Sequence, residues 1–221
     1  WGTKSRTWAA IRVVKELLRK YGFQPKKRLG QNFLVDGNIL NKIVTAAEIS
    51  PDDFVLEVGA GIGVLTRALA EKAKMVTTVE TDRALAPLLQ EILGTRKNIR
   101  LVFADILKVD LQALIPAHMT PKVVANIPYY ITSPLLFRLL EAGIKWNLLV
   151  FLVQKEVGER ITAVPGSSAY GALTVGIQHY ARVEMVGTVS PNVFFPRPKV
   201  SSVILRLLPR ERESSKETER V

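Results

Sequence analysis

The sequence predicts an α/β fold: a mainly parallel central sheet with helices on both faces and an antiparallel hairpin at its C-terminal edge. Three observations predict it. Short apolar runs at 54–58, 75–79, 99–103, 123–125 and 148–153 alternate with helical patterns, as repeated βαβ units do. The first run leads into glycines at alternate positions, Gly59, Gly61 and Gly63, and then into a helical stretch over 64–72. Two later strand-like runs, 183–189 and 202–208, flank a Pro-rich loop and suit an antiparallel pair.

Taken in order, the chain opens with Trp8, Ile11, Val14, Leu18 and Tyr21 at spacings of three and four, which predicts an amphipathic helix over 7–21. Thr7 is the expected cap and Gly22 the expected stop. A second helix follows Asp36, with Ile39, Leu40, Ile43, Val44 and Ala47 on one face. Ser50-Pro51-Asp52-Asp53 is a turn before the first long strand. The expected organisation is a basic helix and arm over 1–30, a cofactor-binding domain over 31–208, and a tail over 209–221 too polar to pack.

With 221 residues, 48% hydrophobic and 23% charged, the chain has the composition of a globular protein with a real core. Cysteine is absent, which excludes disulfides, thiolate metal sites and a cysteine nucleophile. The two histidines, His118 and His179, lie far apart, so no metal site is expected. No apolar run approaches the ~20 residues that span a bilayer, and no secretory signal is evident. The net charge of +11 is concentrated at the start. Residues 1–30 hold nine Lys or Arg against Glu16 alone, and the remaining chain is close to balanced. Such a segment favours a polyanion, nucleic acid before membrane; the competing reading is a solvated helix face. A basic amphipathic start also resembles a mitochondrial transit peptide, but the basic character continues through Lys26, Lys27 and Arg28. A cytoplasmic monomer is expected.

The most informative motif is Val55-Leu56-Glu57-Val58-Gly59-Ala60-Gly61-Ile62-Gly63. Its glycines permit a tight turn and close approach of a ligand to the backbone. A dinucleotide fingerprint would need Gly at 64, where Val stands, so a ligand without a pyrophosphate is favoured. The next strand ends at Glu80-Thr81, where an acid can accept bonds from both ribose hydroxyls. The strand after ends at Asp105-Ile106, where an acid can accept from an adenine amine. A lone acid at either place is more often a solvated loop residue. Together, these strand ends make an adenosine-containing pocket suited to S-adenosylmethionine, in a Rossmann-like class I methyltransferase fold.

After the fourth strand comes Asn126-Ile127-Pro128-Tyr129-Tyr130. Methyl transfer to an exocyclic adenine amine needs no strong base, because the amine proton acidifies as the bond forms. It needs two acceptors that hold the amino hydrogens and favour a pyramidal nitrogen. The Asn126 side-chain oxygen and the rigid carbonyl of Ile127 beside Pro128 suit that role, and Tyr129 suits a base flipped from its stack. The competing reading is an ordinary turn with core tyrosines. Phe194, in Phe194-Phe195-Pro196-Arg197-Pro198-Lys199-Val200, is either a second aromatic platform or part of a rigid connection.

These motifs, with Leu29-Gly30-Gln31-Asn32-Phe33-Leu34 and Gln154-Lys155-Glu156-Val157, resemble those of the small-subunit ribosomal RNA adenine dimethyltransferases (KsgA/RsmA type). The resemblance runs from about Arg19 to Leu208. It implies transfer of two methyl groups to each of two adjacent adenosines near the 3′ end of small-subunit rRNA, in a pre-assembled ribosomal particle, leaving S-adenosylhomocysteine. It implies cofactor contacts at Gln31, Asn32, Leu34, Gly59, Gly61, Glu80, Thr81, Asp105, Ile106 and Asn126. It places amine positioning on Asn126 and the carbonyl after it, and stacking on Tyr129 and Phe194. It also implies a small helical C-terminal domain, of which 209–221 would be the truncated start. The alternatives are a large-subunit rRNA adenine methyltransferase of macrolide-resistance type, a DNA adenine methyltransferase, or an RNA-binding assembly or transcription factor with secondary methylation.

Overall fold

The computed structural model describes residues 2–210, with side chains from residue 10 onward. The expected polar tail therefore lies almost wholly outside the described residues, as does the side chain of Trp8. The elements run α1 (Gly2–Lys20), β1 (Phe33–Leu34), α2 (Gly37–Ala46), β2 (Phe54–Val58), α3 (Val64–Ala70), β3 (Met75–Glu80) and α4 (Ala86–Leu93). Next come β4 (Ile99–Phe103), β5 (Pro121–Asn126), α5 (Thr132–Glu141), β6 (Leu148–Gln154), α6 (Lys155–Ile161) and α7 (Ala172–Tyr180). The chain closes with β7 (Ala181–Val189), β8 (Phe194–Phe195) and β9 (Ser202–Pro209).

Seven strands form one sheet in the order β4-β3-β2-β5-β6-β9-β7. The first five pair in parallel, and β9 pairs antiparallel with both β6 and β7. This is the α/β fold expected from the alternating runs. The order reverses between β2 and β5: the chain moves outward to β3 and β4, then returns to the other side of β2. Such a switch point opens a crevice beyond the strand ends. β2 is buried at every position because helices cover both faces of the sheet. On one face Leu56, Phe151 and Leu205 pack with Leu135 and Leu139 of α5 and Ile177 of α7. On the other, Val55, Val124 and Ile204 pack with Ile43 of α2 and Leu69 of α3.

Local chemistry sets the helix ends. Asp36 caps α2 by accepting from the Asn38 and Ile39 amides. Gly22 adopts φ 59 and follows α1, where the Gly22 and Phe23 amides bond back to the carbonyls of Arg19 and Leu18. The expected cap at Thr7 is not the start of α1. Helical hydrogen bonding continues back to Gly2 through polar residues that include no proline, so Thr7 is interior to the helix. α1 packs Val14 and Leu18 with Phe23 and Phe33 against Leu85, Leu88 and Leu89. No helix among the described residues is long and apolar enough to cross a membrane.

At the sheet end opposite the crevice, Lys122 is buried in β5. Its ammonium donates to the Glu48 carbonyl at 2.6 Å and to Asp53 at 2.9 Å. Burial pushes the Asp53 carboxyl up, but donation from Lys122 and from Ser50 outweighs it and leaves the group below its ordinary value. Removing one partner strands a buried charge, so Lys122→Met should cost about 3–5 kcal/mol near neutral pH. Because the folded-state value of Asp53 is depressed, its contribution is present above the ordinary carboxylate range and lost as pH falls through the folded value. Denaturant unfolding of both proteins checks this: the gap should narrow below about pH 4, and an equal gap at all pH values would contradict the assignment.

Candidate active site

β2 delivers the chain into a turn that only glycines make without strain: Gly59, Gly61 and Gly63 have φ 84, 54 and 78. Space is also limiting, since a Cβ at Gly61 would lie 3.1 Å from the Phe33 ring. The neighbouring strand end braces the turn. Glu80 accepts from the Gly61 amide at 2.9 Å with one oxygen and from the Asp82 amide at 2.8 Å with the other. A carboxylate has about four acceptor positions, so these bonds do not exhaust its capacity for a ligand. Glu80 is buried, and burial raises its carboxyl above the ordinary value despite these donors.

Across the switch point, Asn126 ends β5. Its Nδ2 donates to the Asn32 carbonyl at 3.2 Å. That bond fixes the plane of the amide and leaves Oδ1 without a donor among the described residues. Ile127 is buried and its amide is held by the Leu152 carbonyl at 3.1 Å. Pro128 and Tyr129 then enter a short turn before α5. The Tyr129 phenol pairs with the Ser202 hydroxyl at 3.2 Å, which holds its ring against β9.

Between these walls lies an open cleft. Of the residues expected from the sequence, Gln31, Asn32, Gly59, Gly61, Glu80, Thr81, Ile106, Asn126, Ile127, Pro128, Tyr129 and Phe194 line it together. Two do not. Leu34 is buried in β1 and lines a smaller adjoining cavity beneath the glycine turn. Asp105 lies outside the lining: its carboxylate accepts from the Leu107 amide at 2.9 Å and faces Lys108 at 3.8 Å. Tyr130, half exposed at the rim, feels both acids. Burial, then the charges of Asp105 and Glu80, raise its phenol above the ordinary value.

The structure adds what the sequence did not reveal. β1 and β8 form a separate antiparallel pair, Phe33 opposite Phe195 and Leu34 opposite Phe194. Phe194 thus lies in the connection between β7 and β9, as one of the two readings expected, and the pairing with β1 also buries it in the cleft wall. Tyr130 also lines the cleft, and Ser202 and the Lys26–Asp82 ion pair at 2.7 Å contact lining residues from behind. Aromatic repetition in Tyr129-Tyr130 was a signal for the first, whereas nothing in the local pattern linked residue 26 to residue 82. Among the described residues there is no group of three or more His, Cys, Asp or Glu placed to hold a metal ion.

Beneath the turn, Glu57 is fully buried, with Thr66 of α3 donating to it at 2.6 Å. Burial raises its carboxyl from 4.5 to about 7. Between those values the folded protein keeps a proton that the unfolded chain has lost. Stability from this group is thus present below the lower value and lost as pH rises through the upper one. Glu57→Gln removes the titration. Its stability relative to wild type should rise by on the order of 1–3 kcal/mol between pH 5 and pH 8. Unfolding midpoints at both pH values check this, and a pH-independent difference would refute it.

Comparison with known proteins bears on the same residues. The family model described as ribosomal RNA adenine dimethylase matches residues 22–220. The ribosomal RNA small subunit methyltransferase A of Clostridium acetobutylicum is 45% identical over 194 residues, covering 88% of this chain and 70% of that relative. A dimethyladenosine transferase from Plasmodium falciparum superposes with TM-score 0.72 at 36% identity, over 80% of this chain and 63% of that one. The 23S rRNA methyltransferase ErmE superposes with TM-score 0.72 at 37% identity, over 82% of this chain and 71% of that one. The match over residues 22–220 and the 45% identity agree with the cleft geometry: this chain belongs to the ribosomal RNA adenine dimethylase family.

Proposed function

We propose that the chain transfers methyl groups from S-adenosylmethionine to the N6 amines of two adjacent adenosines near the 3′ end of small-subunit rRNA, giving N6,N6-dimethyladenosine during ribosome assembly in the cytoplasm. One observation carries the reading: Asn126 is pinned through Nδ2 to the Asn32 carbonyl and keeps Oδ1 free at the cleft. The cofactor fits the residues present. A Cβ-free turn at Gly59 and Gly61 admits a ligand close to the backbone, and Glu80 keeps acceptor capacity for ribose hydroxyls. When bound, S-adenosylmethionine supplies an electrophilic methyl group.

The remaining work falls to the chain itself. Asn126 Oδ1 and the Ile127 carbonyl accept the two amino hydrogens of the target adenine, which localises the nitrogen lone pair. Tyr129, steadied by Ser202, stacks on the flipped base. The buried wall of Ile127 and Phe194 excludes water. The basic N-terminal segment offers contacts to the phosphate backbone. The likeness to a 23S rRNA methyltransferase favours a large-subunit adenine as the second reading. Incubation with labelled cofactor and separate immature small and large subunits tests both. Label in dimethyladenosine of the small subunit supports the first reading, label confined to the large subunit supports the second, and no label overturns both.

Two variant sets follow. Glu80→Ala should weaken S-adenosylmethionine binding roughly tenfold to a hundredfold in calorimetric titration, the scale of hydrogen bonds to a charged acceptor; an unchanged Kd would misplace the ribose site. Asn126→Ala should slow single-turnover methylation at saturating cofactor by ~10²–10³. Tyr129→Ala should instead weaken capture of the adenine by about 1–3 kcal/mol with cofactor affinity nearly constant. Wild-type transfer by Asn126→Ala would remove the amine role from this loop.

A further inference from the structure

Residues 24–32 cross the mouth of the cleft without burying a single side chain. The buried Phe23 and Phe33 fix its two ends. Between them polar contacts hold it, at two points. At the first, Asp82 closes a ring. Its Oδ1 accepts from the Lys26 ammonium at 2.7 Å and its Oδ2 from the Gln31 amide at 2.9 Å. Gln31 Oε1 in turn accepts from the Lys26 backbone amide at 2.7 Å. At the second, Gly30 turns at φ 58 onto Pro128, and the Asn32 carbonyl receives Asn126 Nδ2.

Asp82 is only 5% exposed, so the ring takes a charge out of water. An ion pair at such a place is a weak source of stability compared with apolar packing. Its geometry is specific instead. The Asp82 backbone amide donates to Glu80, and the Asp82 side chain holds the strap whose carbonyl orients Asn126. One residue thus touches both halves of the site.

We propose that Asp82 is a positioning residue for methyl transfer: through Lys26 and Gln31 it pins the strap, and the pinned Asn32 carbonyl sets the orientation of the Asn126 amide. The strap is a lever with Asp82 at one end and the amine acceptor at the other. Releasing Asp82 frees the Asn32 carbonyl, and Asn126 then rotates among orientations of which only some present Oδ1 to the adenine. The inference rests on the amine role assigned to Asn126 above.

Lys26→Met tests it with least risk to folding, because the ammonium lies at the surface end of the ring; Asp82→Asn is the second variant and Lys26→Arg the conservative control. Two readouts are needed. The Asn126 side-chain amide resonances in NMR, identified by their loss in Asn126→Ala, report orientation without catalysis. In Lys26→Met and Asp82→Asn they should move toward the values of a freely rotating Asn, and in Lys26→Arg they should stay near wild type. Single-turnover methylation of immature small subunits should fall about tenfold at saturating cofactor in the first two variants, a misplacement effect, and recover in Lys26→Arg. Unmoved Asn126 resonances in both disrupting variants would overturn the proposal, as would full methylation rates despite moved resonances. If wild type itself transfers no methyl group, the functional reading fails while the resonances still decide whether Asp82 orients Asn126.

Discussion

The Glu80 carboxylate is the constraint on which the rest of the site depends. One oxygen holds the Gly61 amide and the other the Asp82 amide, so a single buried group joins the glycine turn, the end of β3 and the residue that anchors the strap. An unpaired carboxylate at that depth would be costly. The backbone donors make it tolerable, and their positions oblige the turn to curl toward β3. The left-handed glycines are the local consequence, since only residues without a Cβ follow that path beside Phe33.

Much of this was legible from the sequence, for a physical reason. Strands buried on both faces must be mostly apolar, so β6, and β2 apart from Glu57, stand out as runs with clear ends. Glycine turns and acids at strand ends are local in sequence and keep their meaning in space. What stayed hidden is non-local or too short. β1 and β8 have two residues each, below any periodicity, and they find each other across most of the chain. The Lys26–Asp82 contact leaves no local trace. The two residues outside the cleft lining show the complementary limit. Asp105 stands at a strand end as expected, yet its carboxylate is turned to the Leu107 amide. Leu34 belongs to a matched motif but supports the cleft from beneath.

The two acceptors assigned to the target amine differ in how they are fixed. Ile127 is immobilised by burial and by the hydrogen bond its amide donates to the Leu152 carbonyl. Asn126 is held by one hydrogen bond to a segment that packing secures only at its ends. A site of this kind fixes one acceptor through burial and the other through polar contacts.

The placement of β9 has a consequence for how the chain is made. Among the described residues β9 is the last strand in chain order, yet it sits inside the sheet, between β6 and β7. Until it emerges, β6 presents an open edge and β7 has no neighbour in the main sheet. Ser202, the partner of the Tyr129 phenol, arrives with it. A nascent chain halted before residue 202 can form the parallel half of the sheet, but with a bare hydrogen-bonding edge of the kind that recruits foreign strands. The domain is therefore exposed to misassociation until β9 is made, and the same strand that seals the edge also steadies the aromatic wall of the cleft.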